Sequence, residues 1–115
     1  MVIGLEEYQL ILLRTPKDAP HYDDETAGRI QRDHLAFYAS MRGAGHVVTN
    51  GPVRDQPDQA LRGIAVYAVE SLARARELAG ADPAVQAGRL EVQAMSYLCR
   101  PGTMVRSGIP VTVDD

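Results

Sequence analysis

The stretch Arg62-Gly63-Ile64-Ala65-Val66-Tyr67-Ala68-Val69 decides how this chain folds. Its β-branched and aromatic residues follow one another without a polar break after Arg62, so it reads as a strand. Ile64, Val66 and Ala68 face one side; Ala65, Tyr67 and Val69 face the other. A strand with one wet face would alternate apolar with polar residues. This one has no polar face. The segment Glu7 to Arg14 repeats the pattern, with Leu10 and Leu12 on one side and Ile11 and Leu13 on the other, and Thr15-Pro16 after it.

Downstream of the deciding strand, Ser71 is a good N-cap for a helix from Leu72 to about Ala79. Leu72, Ala75, Leu78 and Ala79 form its apolar stripe, and Gly80 ends it. Upstream, Pro16 to Asp23 has a loop composition. A helix then starts at Asp23 or Asp24, where early acids suit the positive helix end. It continues to about Arg42 and stops at Gly43-Ala44-Gly45. Its stripe is Ala27, Ile30, Phe37, Tyr38 and Met41, and His34 falls within it, a turn from both Ile30 and Tyr38. His46 to Asn50 reads as a strand centred on Val47 and Val48 and ended by Gly51-Pro52, with a polar loop through Gln59. Asp82-Pro83 opens a single turn, Ala84 to Ala87, closed by Gly88. The last strand is Leu90 to Cys99, in which Leu90, Val92, Ala94 and Leu98 share a face. Arg100 to Asp115 forms a tail with its own glycines and prolines.

The order is strand, helix, strand, strand, helix, strand. That is the α+β, ferredoxin-like split βαβ pattern: a four-stranded antiparallel sheet with two helices on one face. The expected division is a domain over 1–99 and a C-terminal tail over 100–115. Two helices cover one sheet face only. The apolar residues on the other would form a patch larger than monomers usually expose. A homodimer with sheets packed face to face is therefore expected.

With 115 residues there is room for one ordinary domain. The 45% hydrophobic content excludes a wholly disordered chain. A formal charge of −3 and the lack of any Lys/Arg run argue against nucleic-acid or acidic-membrane partners. Every basic residue except Lys17 is an arginine. No apolar stretch approaches the ~20 residues of a membrane span, and no signal peptide precedes Leu10–Leu13. Cys99 is the sole cysteine, which excludes an intrachain disulfide and suits a reducing cytoplasm. Its apolar neighbours, Tyr97 and Leu98, make it read as an inert buried residue.

Several chemistries drop out. Gly43-Ala44-Gly45 follows a helix and lacks the third glycine of a dinucleotide fingerprint. No P-loop and no Gly-x-Ser-x-Gly elbow is present. His21, His34 and His46 lack zinc-ligand spacing, so no metal is expected; His21 near Asp23 and Asp24 reads first as a solvated loop residue. His34 is more informative, because imidazole exchanges protons near neutral pH. From the pattern alone it reads first as a core histidine with hydrogen-bonded nitrogens. Asp82 likewise reads first as an Asp-Pro turn starter. A carboxylate beside a histidine would also hold its ring in one tautomer and balance its cationic form.

The segments Asp33-His34-Leu35, Gly45-His46-Val47, Asn50-Gly51-Pro52 and Ala81-Asp82-Pro83, with Gly88 before the last strand, resemble the YCII-related family in order and spacing. The resemblance spans about Glu7 to Leu98. The Asp-Gly-Pro-Phe motif of a sister group is replaced here by Asn50-Gly51-Pro52-Val53. The resemblance implies a dimeric α/β barrel, akin to muconolactone isomerases and cofactor-free monooxygenases. It also implies a paired His and Asp in an active-site cleft, which map onto His34 and Asp82. One branch of that family removes chloride from a chlorinated hydroxyquinol.

Two functions compete. The first is a cofactor-free lyase, isomerase or dehydrochlorinase-like enzyme on a small, cyclic or aromatic molecule. In it His34 and Asp82 are catalytic, Gly51 and Pro52 shape the cleft rim, and Tyr38, which reads first as a core tyrosine, is the candidate to hydrogen-bond the substrate. The second is a non-catalytic small-molecule binder or accessory subunit using the same cleft. A weaker third reading is an interaction module that uses the tail.

Overall fold

The computed structural model describes residues 1–104 and 107–113. Strand β1 (Glu6–Arg14) leads into helix α1 (Asp24–Gly43), then β2 (Val47–Pro52) and β3 (Leu61–Tyr67). Helix α2 (Leu72–Gly80), the single turn α3 (Pro83–Gln86) and β4 (Glu91–Cys99) complete the order. The sheet runs β2-β3-β1-β4, and all three pairings are antiparallel. This is the ferredoxin-like topology expected from the element order.

Register sorts the strand residues by face. On β1, Gln9, Ile11 and Leu13 stand opposite Tyr67, Ala65 and Gly63 of β3 and Ser96, Ala94 and Val92 of β4. This face carries the core: Ile11, Leu13, Ala65 and Tyr67 cluster with Tyr38 of α1, Val47 of β2, and Ala75 and Ala79 of α2. All three helices therefore serve one side. The other side carries Tyr8, Leu10 and Leu12 of β1 beside Ile64 and Val66 of β3 and Met95 of β4. No helix covers it.

Capping follows the sequence signals. Asp23 accepts from the Thr26 amide at 2.7 Å and Ser71 from the Arg74 amide at 3.0 Å. Gly45 and Gly88 take the left-handed turns, with φ of 81° and 76°.

The structure corrects three expectations. Gly51-Pro52 lies inside β2 rather than ending it, with Gly51 opposite Ile64 and Pro52 opposite Gly63. Proline is tolerated because β2 is an edge strand, where an amide on the outer side has no partner to lose. Within the same strand, a register shift between Val47 and Thr49 leaves Val48 half-exposed beside the buried Val47. Strand β3 stops at Tyr67, two residues early, as the chain turns toward the Ser71 cap. Cys99 is only partly buried, and Leu98 is exposed; both lie at the end of β4, the other edge strand. Within the tail, Ile109, Val111 and Val113 are exposed; 105, 106, 114 and 115 lie outside the described residues. Among the described residues no helix is long and apolar enough to cross a membrane.

Candidate active site

The helical period of α1 puts Ile30, His34 and Tyr38 on one line facing the sheet, and α3 packs against the same helix. That packing brings Asp82 to His34. The His34 Nδ1 lies 2.7 Å from Asp82 Oδ2. Asp82 is also the N-cap of α3: its Oδ1 accepts from the Ala84 amide at 2.9 Å, with Pro83 at the first helical position. The turn-starter reading and the histidine-partner reading are thus both met, one carboxylate oxygen each. Asp82 is fully buried, whereas the His34 side chain retains 12% exposure. With Nδ1 turned to the carboxylate, Nε2 is the nitrogen left for a ligand.

His34 lines a cleft of about 630 Å³ between the first half of α1 and one end of the sheet. That volume suits a small organic molecule. Gly51 and Pro52 line it, as the rim expectation required, together with Gly63 and Leu13 from the floor. A Cβ on Gly63 would lie 2.8 Å from the Gly51 carbonyl oxygen, so only glycine lets β2 approach this closely. The opposite wall is tied down: Tyr22 Oη donates to the Ala87 carbonyl at 2.7 Å, and Pro20 packs on Gly88.

Tyr38 does not line the cleft and takes the core position that is its first reading. It is fully buried, and Tyr67 Oη donates to its oxygen at 2.9 Å. Its ring instead meets His34 edge-on at a centroid distance of 5.3 Å. Burial pushes both phenols up, that of Tyr67 to about 12. The physical cause is the taper of β3: Gly63 leaves space at the cleft end, and Tyr67 fills it at the other.

Sequence reading missed Arg62 and Arg89, which also line the cleft. Nothing in their local sequence marks them, since they stand singly and far apart. His21 is exposed, and the Asp23 carboxylate beside it is engaged in capping α1. Among the described residues, no three His, Cys, Asp or Glu side chains gather as a metal site.

The comparisons agree with this architecture. A family model described as the YCII-related domain matches residues 9–96. A solved structure of 5-chloro-2-hydroxyhydroquinone dehydrochlorinase from Burkholderia phenoliruptrix, in complex with 2,5-dihydroxybenzoquinone, shares the fold with a TM-score of 0.54. It is 16% identical and covers 76% of this chain and 90% of its own. No curated protein matches the chain.

Proposed function

The chain belongs to the YCII-related family, and from that premise we propose that it is a cofactor-free enzyme of small organic molecules. His34 is the proton-transfer group and Asp82 its orienting partner. One observation carries the reading: a fully buried carboxylate holds Nδ1 of a histidine whose ring lines an open cleft. Asp82 favours the tautomer with the proton on Nδ1, leaving the Nε2 lone pair for the substrate.

The step is a lyase or isomerase step. Nε2 takes a proton from a carbon or hydroxyl next to a carbonyl. The electron pair left behind forms a new double bond. It either expels a leaving group with its bonding electrons or shifts the existing double bond. The loss of chloride implied by the structural neighbour's name is one case of the first. The proton rests on the imidazolium, balanced by Asp82; in the elimination it then passes to water, and in the isomerisation it returns to the carbon at the far end of the shifted double bond. Both branches require a base, only the elimination a leaving group, and neither an electron carrier.

The test is turnover of an identified substrate by His34→Ala and Asp82→Asn. Both variants are expected to fold and to lose turnover. Undiminished turnover in both would overturn the mechanism. The non-catalytic reading has one observation in its favour, the Asp82 cap on Ala84, which gives this carboxylate a structural task. NMR titration of His34 with and without ligands separates the two, because a purely structural pair would not respond to ligand.

The working unit proposed is a homodimer, in a reducing cytoplasm as the single cysteine suggests. The face that no helix covers, where Leu10, Leu12, Ile64 and Met95 are only partly buried, supports it. Light scattering at micromolar concentration is expected to return twice the chain mass, and Leu10→Glu to halve that value. A single-chain mass for the unmodified protein would refute the dimer.

A further inference from the structure

We propose that the cleft takes its substrate as an anion, a carboxylate or phenolate on an apolar body, held by Arg62 and Arg89. This rests on the reading of the His34 cleft as a small-molecule site. Arg62 comes from the start of β3 and Arg89 from the link between α3 and β4, yet both line the cleft that His34 lines. No aspartate or glutamate lines it. A chain with a net charge of −3 thus presents a cationic cleft.

Arg14 pairs with Asp58 at 2.6 Å, Arg74 with Glu77 at 2.5 Å, and Arg42 with the Asn50 side chain. Among the described residues, neither Arg62 nor Arg89 has an ion-pair or side-chain hydrogen-bond partner. Arg29, Arg32, Arg76 and Arg100 also lack a partner among the described residues, but only Arg62 and Arg89 both lack one and line the cleft. The carboxylate nearest the ring cannot serve them: Asp82 is fully buried and divided between His34 and the Ala84 amide. Two unpaired arginines lining one cleft favour an anion, because guanidinium meets carboxylate with charge-assisted, often bidentate hydrogen bonds. Leu13, Ile30, Leu35 and Leu90 supply apolar lining for the remainder of the molecule.

The fold also holds Arg89 in step with the catalytic pair. Its amide donates to the Ala84 carbonyl at 2.9 Å, and the Leu90 amide donates to the same oxygen at 3.1 Å. Ala84 is the residue whose own amide caps onto Asp82. One short turn therefore fixes both the carboxylate that orients His34 and the backbone that carries Arg89. A substrate anchored at Arg89 would be placed relative to the ring by that turn.

The test is binding, read from the His34 ring resonances by NMR, and it does not require turnover. The probes are benzoate, 2,5-dihydroxybenzoate and maleate, each compared with its neutral amide. At least one anion is expected to give a saturable shift, with its amide weaker by at least about tenfold. Arg62→Gln with Arg89→Gln is expected to weaken that anion by about tenfold or more, while Arg74→Gln leaves it unchanged. Rising salt should weaken the anion in the unmodified protein, which keeps the test valid if the double variant does not fold. Equal binding of anion and amide, no saturable shift with any of the three anions, or no salt dependence overturns the proposal. Anion binding together with full turnover by His34→Ala and Asp82→Asn would instead defeat the catalytic reading and leave this one standing.

Discussion

Two polar pairs hang from α1 one turn apart, and they have opposite fates. His34 meets Asp82 at 2.7 Å, and Tyr38 meets Tyr67 at 2.9 Å. Both pairs join the helix to a distant element, and both contain a fully buried member. The tyrosine pair is sealed, with each phenol packed inside the core. The histidine pair is sealed only on its carboxylate side, because the imidazole lines the cleft. A buried hydrogen bond therefore does not make a site. A site needs one partner fixed from behind and one face free for a ligand. The taper of β3 from Gly63 to Tyr67 separates the two cases.

The largest expected effect tests the open pair. His34→Ala should reduce turnover by about 100-fold or more, the usual scale of general acid–base work, with little change in melting temperature. Tyr38→Phe should do the reverse and leave most turnover intact. If Tyr38→Phe matched His34→Ala in turnover, the contrast between the pairs would fail.

Gly63→Ala comes next. Its methyl would have to displace the Gly51 backbone, for which a cost of about 1–3 kcal/mol is expected. Denaturant midpoints measure it, and ligand binding in the cleft should weaken in parallel. Unchanged stability would show that β2 can move aside.

Tyr67→Phe probes the sealed pair from its other side. It removes the donor to a buried phenol oxygen, which should cost about 1–2 kcal/mol in denaturant unfolding. A stability equal to that of the parent would mean that the bond is not maintained in solution.

The smallest effect is alkaline. An unfolded tyrosine titrates near 10, and burial raises Tyr67 to about 12 in the folded chain. The folded state thus holds this proton longer than the unfolded state does. The stabilisation is complete below about pH 10 and is lost as pH rises toward about 12. Urea midpoints across that window should fall, and fall less steeply in Tyr67→Phe.

Much of this fold was legible in residue order. The two-sided strands gave the sheet, Asp23 and Ser71 marked the helix starts, and Gly45 and Gly88 marked the turns. The errors sit at the sheet edges. Pro52 reads as a terminator because it cannot donate, but an edge strand does not ask it to. The register shift beside Val48 was not legible either, because alternation cannot reveal a bulge.

The candidate site was legible only in part. His34 stood out as an ionisable residue in an apolar stripe, and helical spacing placed Tyr38 on the same face. The same spacing could not say that the cleft stops between them. That boundary depends on which β3 residue lies beneath each turn.

The sequence by itself determined the element order, the caps, the turns and the two apolar faces of the sheet. These are short-range consequences of residue type, period and backbone freedom. Only the tertiary structure decided that Asp82 reaches His34 across 48 positions, that Tyr38 is paired away, and that Arg62 and Arg89 line one cleft. Those meetings depend on strand order and on the packing of α3 against α1. No local signal encodes them, because they arise from contacts between segments that are distant along the chain.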